Sequence, residues 1–241
     1  MSPIQFKYVP ASEQSQTPAQ QIYREEIPED LQESFNFIKN EAADATAKWK
    51  LVIQLFGKSE DRCTLLSQTG AVFFALTRDA LITDTLLTLG RLLDKPQQGS
   101  NKNICLEYLL DFIRKRNDND LAIELEAVLN DARRSEAKAR KHRNKRIAHN
   151  DLQTHLDDAV LPLPNATVGE MNELLELTQM FVNRIDMYYG KNHYSRQVLN
   201  GDADTMIGFL ADGMRYRQDL QNQRQLSLGQ QKVDWEIPSD V

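Results

Sequence analysis

Cysteine is nearly absent: Cys63 and Cys105 are the only two among 241 residues, far apart and with no CxxC pair. That argues against a disulfide scaffold. With no Cys/His array and no HExxH string, it also argues against a zinc site. Glycine and proline are scarce at 10 and 8, too few for a sandwich or barrel of many tight turns. No Walker loop, no GxGxxG after a strand and no Ser or Cys in a nucleophile context is present. No apolar run approaches the roughly 20 residues of a membrane span. The opening "MSPIQFKYVPASEQSQTPAQQ" lacks the charged-then-apolar pattern of a secretory leader. These absences lead to the expectation of a cytoplasmic protein in a reducing setting, with no metal, no cofactor and no membrane.

What is present is ordinary for a globular chain: 41% apolar and 27% charged residues, with a net charge of −6. The charge is uneven. Residues 133–146 hold eight Lys or Arg against one acid, Glu136, so this stretch carries about +7 and the rest about −13. A local basic patch on an acidic body suits docking of a limited polyanion rather than coating of a long one.

The chain divides into a polar arm over 1–27, a body over 28–220 and a polar tail over 221–241 that contains Trp235 and Ile237. In the body, Leu31, Phe35, Ile38, Ala42, Ala45, Trp49, Val52 and Phe56 recur at alternating spacings of four and three. This is the stripe of two long helices packed along each other. Pro28, Glu29 and Asp30 suit the helix start and Gly57 its stop. A second helix is expected over 59–94, with Leu66, Val72, Phe73, Leu76, Ala80, Leu86, Leu87, Leu92 and Leu93 as its apolar face. Within it, Arg91 and Asp94 stand three residues apart as a helical charge pair. A third helix is expected over 104–115. A fourth begins near Asp120, carries Leu121, Leu125, Val128, Leu129 and Ala132, and runs into the basic stretch. Thr167 with Glu170 forms a capping box ahead of a fifth, bearing Met171, Leu174, Leu175, Phe181, Ile185 and Tyr188, which Gly190 ends. Asp202 or Asp204 caps a sixth, carrying Met206, Phe209, Leu210, Met214 and Leu220. The fold class is therefore all-α, an up-and-down bundle of five to six helices.

The chemistry-bearing stretch is "RNKRIAHND", residues 143–151. Arginine presents a permanent charge and a planar fork matched to two phosphate oxygens. Histidine takes and returns a proton near neutral pH. Together they suffice to cleave RNA without a metal. A base removes the 2′-hydroxyl proton, that oxygen attacks the adjacent phosphorus, and a guanidinium stabilises the growing charge. Six helical residues rise about 9 Å and rotate far from the starting face. Arg143 and His149 thus meet at one phosphate if the helix ends or bends within the motif, or serve opposite sides of a groove between two protomers.

Arg143-Asn144-x4-His149 resembles the Arg-polar-x(3–5)-His signature of the HEPN superfamily, and the longer string resembles its abortive-infection-type members. The resemblance implies an all-α bundle, usually dimeric, with the two motifs facing one groove. It implies metal-independent endoribonuclease activity of the kind found in toxin and phage-defence systems. Arg143, Asn144 and His149 map onto the active-site positions. Lys145, Ala148 and Asp151 map onto the extended motif, and Lys141, Lys145, Arg146 and Asp151 are the candidate substrate contacts. The implied partners are RNA, a second copy of the chain, and an antitoxin such as a nucleotidyltransferase.

Blander readings stand beside this one. The same fold can bind RNA, a nucleotide or a protein without catalysis, or the motif can merely tie helix ends together through Arg143 and Asp151. The basic run can be a solvated face. His142, Arg146 and His149 share an approximate face but lack the further ligands of a metal site. Tyr188 and Tyr189 suit packing at a helix end more than base stacking.

Overall fold

The computed structural model describes residues 27–142, 167–190 and 201–227, with side chains in the fourth helix described as far as Glu136. Among the described residues, six helices and one small hairpin follow each other in the order α1 (Glu29–Phe56), α2 (Glu60–Leu93), β1 (Gln97–Gln98), β2 (Asn101–Lys102), α3 (Leu106–Lys115), α4 (Asn119–His142), α5 (Val168–Gly190) and α6 (Asp202–Ser227).

The stripe on α1 forms the spine of the core. Leu31, Phe35, Ile38, Ala42, Ala45, Trp49 and Val52 are buried, and Leu55 is buried in place of Phe56. Leu55 points inward on a different side of α1, into a cluster with Leu65, Leu66 and Phe74. Phe56 is only partly buried, between the main core and a smaller second cluster. Gly57 stops α1 with its N–H donating to the Ile53 carbonyl at 2.9 Å. Ser59 caps α2, its side-chain oxygen accepting from the Arg62 N–H at 3.2 Å.

Cross-helix pairs fix the directions. Lys48 meets Asp84 and Arg91 meets Glu41, so α1 and α2 are antiparallel. Lys39 meets Asp186 and Trp49 meets Asn172, so α1 and α5 are antiparallel. Arg184 meets Glu124 and Ser135 meets Glu173, which sets α4 against α5 in the same sense. The bundle is up-and-down, as expected.

α2 departs from the expected face. Val72, Phe73, Leu76 and Ala80 are exposed, the first three by 74%, 66% and 65%. Phe74 turns inward instead, into the second cluster with Leu55, Leu65, Leu66, Ala203, Ile207 and Ala211. The cause is at Gly70, where ψ is 60° and the helix kinks. The break rotates the downstream face, so a single helical wheel across it misassigns Val72, Phe73 and Leu76. Arg91 also chooses a partner other than Asp94: its guanidinium donates to Glu41 and Thr88, both at 2.9 Å.

The stretch after α2 contains more than a loop. Gln97 pairs with Lys102 and Gln98 with Asn101 in an antiparallel hairpin. Gly99 takes the first loop position at φ +61°, a left-handed conformation that glycine adopts without a steric clash. On α5 the capping box forms as read: the Thr167 N–H donates to Glu170 at 2.8 Å and the Glu170 N–H to Thr167 at 3.2 Å. α6 seats Ala203, Ile207 and Ala211, while Phe209 and Leu220 face outward. It continues to Ser227, past the position where the sequence pattern turned polar.

Candidate functional site

α4 is the element that delivers the motif, because Arg143 follows its last residue, His142. Leu121, Ala122, Leu125, Leu129 and Ala132 are buried along it, which holds the helix in the main core over several turns. Its start is pinned to the end of α5. Tyr189 and Tyr188 donate hydroxyl hydrogen bonds to Asp118, the residue before α4, and their rings meet edge to face at 5.0 Å. Both phenols are pushed above their ordinary value: Tyr189 by burial and the Asp118 carboxylate, exposed Tyr188 by the charge of Asp118. The tyrosines therefore act as a helix-end clamp. Tyr188 is half exposed rather than part of the apolar row.

Further along, α3 and α5 grip α4 from two sides. Arg114 of α3 pairs with Glu126 at 2.8 Å, and Arg133 donates to Glu107 of α3 at 2.7 Å. Ser135 donates to Glu173 of α5 at 3.2 Å. These contacts reach the last turn of α4 whose side chains are described, so the approach to the motif is anchored on both flanks.

The start of the basic run is partly neutralised. Arg133 is paired with Glu107, and Arg134 with Asp131 one turn earlier. Glu136, the lone acid in the run, is 3% exposed, so it faces the bundle instead of diluting the outer surface. Both arginines in the described part of the run are therefore paired.

Of the residues singled out from the sequence, Lys141 lies in the last turn of α4. Its side chain lies outside the described residues. Arg143, Asn144, Lys145, Arg146, His149 and Asp151 also lie outside the described residues, as do His155, His193, Trp235 and Ile237. Beside the path to the motif, the structure adds an open polar depression that no sequence pattern indicated. It is lined by Leu93, Asp94, Lys95, Gln98, Arg133 and Glu136, drawn from α2, the hairpin and α4. Only the lone acid of the basic run hinted at it, since a carboxylate among so many cations invites a reason.

No helix among the described residues is long and apolar enough to cross a membrane. No curated protein and no solved structure matches the chain. A family model does match, over residues 28–206, from the start of α1 into α6. That model describes AbiU2, a HEPN family, and the chain belongs to this abortive-infection-type branch of the HEPN superfamily.

Proposed function

We propose that this HEPN protein is a metal-independent endoribonuclease. The observation that supports it is the string at 143–151, which supplies an arginine, an asparagine and a histidine directly after an anchored helix in a chain of HEPN type. In this reading Arg143 clamps the scissile phosphate and Asn144 orients it. Lys141, Lys145, Arg146 and Asp151 hold or position the neighbouring strand. His149 removes the 2′-hydroxyl proton. The 2′-oxygen bonds to phosphorus, the bond to the 5′-oxygen breaks, and the leaving oxygen takes a proton. The products are a 2′,3′-cyclic phosphate and a 5′-hydroxyl.

A homodimer with two motifs on one groove supplies a second imidazole for that last proton. A toxin or phage-defence role, and restraint by an antitoxin partner, extend the same proposal. The test is purified protein on end-labelled RNA with EDTA present. Cleavage with cyclic-phosphate ends is expected, and Arg143→Ala and His149→Ala should each reduce it by about a hundredfold or more while the helical signal is unchanged. Intact RNA in the wild-type reaction, with retained RNA binding at low salt, turns the assignment to a non-catalytic binding module.

A further inference from the structure

The fifteen residues from Cys63 to Thr77 carry no charge, the longest such run in a chain that is 27% charged. They lie on α2 around the Gly70 kink. Within them Ala71-Val72-Phe73-Phe74-Ala75-Leu76 is apolar throughout, yet only Phe74 is buried. The exposed Phe73 ring stands edge to face against Phe74 at 5.1 Å, which holds it in position. The charges on either side are already paired, Arg62 with Asp204 and Arg78 with Asp79. A run of exposed apolar residues on a helix marks a surface that something covers. Elsewhere the exposed apolar residues are diluted. On α6, Phe209, Tyr216 and Leu220 alternate with exposed Asp212, Arg215 and Asp219, as on an ordinary solvated helix.

The α2 ridge sits at the end of the bundle where α4 stops. Trp49 meets Asn172 and Ser135 meets Glu173, so Trp49 and Ser135 share a level along α5. From there α1 runs seven residues to Phe56, and α4 runs seven in the same direction to His142. α2 returns antiparallel to α1, with Asp84 beside Lys48. Leu76 and Val72 precede Asp84 by eight and twelve residues, about 12 and 18 Å further toward that same end.

We propose that this ridge docks a second copy of the chain, α2 against α2 across a two-fold axis. It names the contact for the dimer of the nuclease reading, and its bearing on cleavage rests on that reading. A two-fold contact presses a surface against itself, so any charge near the axis meets its own copy. The ridge has none to repel, and it gives an acidic or basic partner nothing to pair with. With the two helices antiparallel, Val72 packs on the partner's Leu76 and Leu76 on the partner's Val72. Ala71 and Ala75 let the helices approach. At about 100 Å² for each large side chain, the ridge supplies roughly 600 Å² over both copies, below the roughly 1,200 Å² of a standard interface. The dimer is therefore weak and forms in the micromolar range. Contact at this end of each copy brings the two α4 ends, which the motif follows in sequence, toward each other.

Sedimentation velocity of the full chain from about 1 to 100 µM should show a monomer–dimer equilibrium. Val72→Glu/Leu76→Glu, at two exposed positions, should be monomeric throughout, with helical signal and urea midpoint unchanged. Phe73→Ala should weaken dimerisation by about tenfold or more. Ile123→Glu, equally exposed on α4, should behave as wild type. A wild type that stays monomeric at the highest concentration overturns the proposal and gives the ridge to another occupant. A dimer that survives Val72→Glu/Leu76→Glu, or is lost in Ile123→Glu, overturns it as well. RNA cleavage separates the two readings. Loss of cutting in the monomeric variant, by about a hundredfold in kcat/KM, supports the ridge as the contact that builds the cleaving dimer. If wild type dimerises through the ridge and never cuts, the nuclease reading fails and the contact stands. A monomeric variant that cuts with the wild-type kcat/KM overturns the link to cleavage while the nuclease stands.

Discussion

Replacing Lys39 by methionine probes the one buried charge pair that joins α1 to α5 among the described residues. Lys39 Nζ lies 2.5 Å from Asp186 Oδ2, with side chains 23% and 3% exposed. The other carboxylate oxygen, Oδ1, has no hydrogen-bond partner among the described residues. Burial pushes the Asp186 carboxyl above its ordinary value, and the Lys39 ammonium pulls it back. Lys39→Met removes the pull. An unpaired buried carboxylate costs about 3–5 kcal/mol, but it has an escape, which is to take a proton.

Relative to an unfolded aspartate of pKa about 3.9, that escape costs about 4 kcal/mol at pH 7 and about 1.5 kcal/mol at pH 5, at about 1.4 kcal/mol per unit. The escape caps the loss. Lys39→Met should therefore cost about 3–4 kcal/mol at pH 7 and about 1.5 kcal/mol at pH 5. The sign follows from proton count: above about pH 3.9 the folded variant holds a proton that the unfolded chain releases, so its stability falls as pH rises until the folded carboxyl ionises. Urea melts followed by far-UV circular dichroism at both pH values measure the loss. Adding Asp186→Asn should remove the pH dependence. A loss below about 1 kcal/mol at pH 7, or one equal at both pH values, refutes the claim that Lys39 holds a charged Asp186 in the core.

Three further outcomes are expected. Phe35→Ala, at a position with no exposure in the centre of the α1 row, should cost about 3–5 kcal/mol in the same melts. Thr167→Ala removes the oxygen that accepts the Glu170 N–H and should cost about 1 kcal/mol, while Thr167→Asn recovers most of it. In native protein an aromatic disulfide reagent should label exposed Cys63 quickly. Cys105, buried and with its thiol pushed up by that burial, should react only with the unfolding rate or after denaturant, and equal rates would contradict its placement.

Local chemistry was legible in the sequence. The row from Leu31 to Val52 named its own buried face because one unbroken helix repeats the same angle. Thr167 with Glu170 and Gly57 marked helix ends because caps depend on neighbours only a few residues away. The nine residues at 143–151 pointed to phosphate chemistry through residue type and spacing, and to the HEPN family that the match over 28–206 established. Contacts between distant segments were not legible. Lys39 and Asp186 are separated by 147 positions, and no periodicity links them. At Gly70 the helix kinks where the apolar pattern reads straight through. The depression beside the hairpin needed α2, the hairpin and α4 to converge. Backbone geometry and capping act within a few residues and are written in local order, whereas burial and long-range pairing depend on which helices the folded bundle brings together.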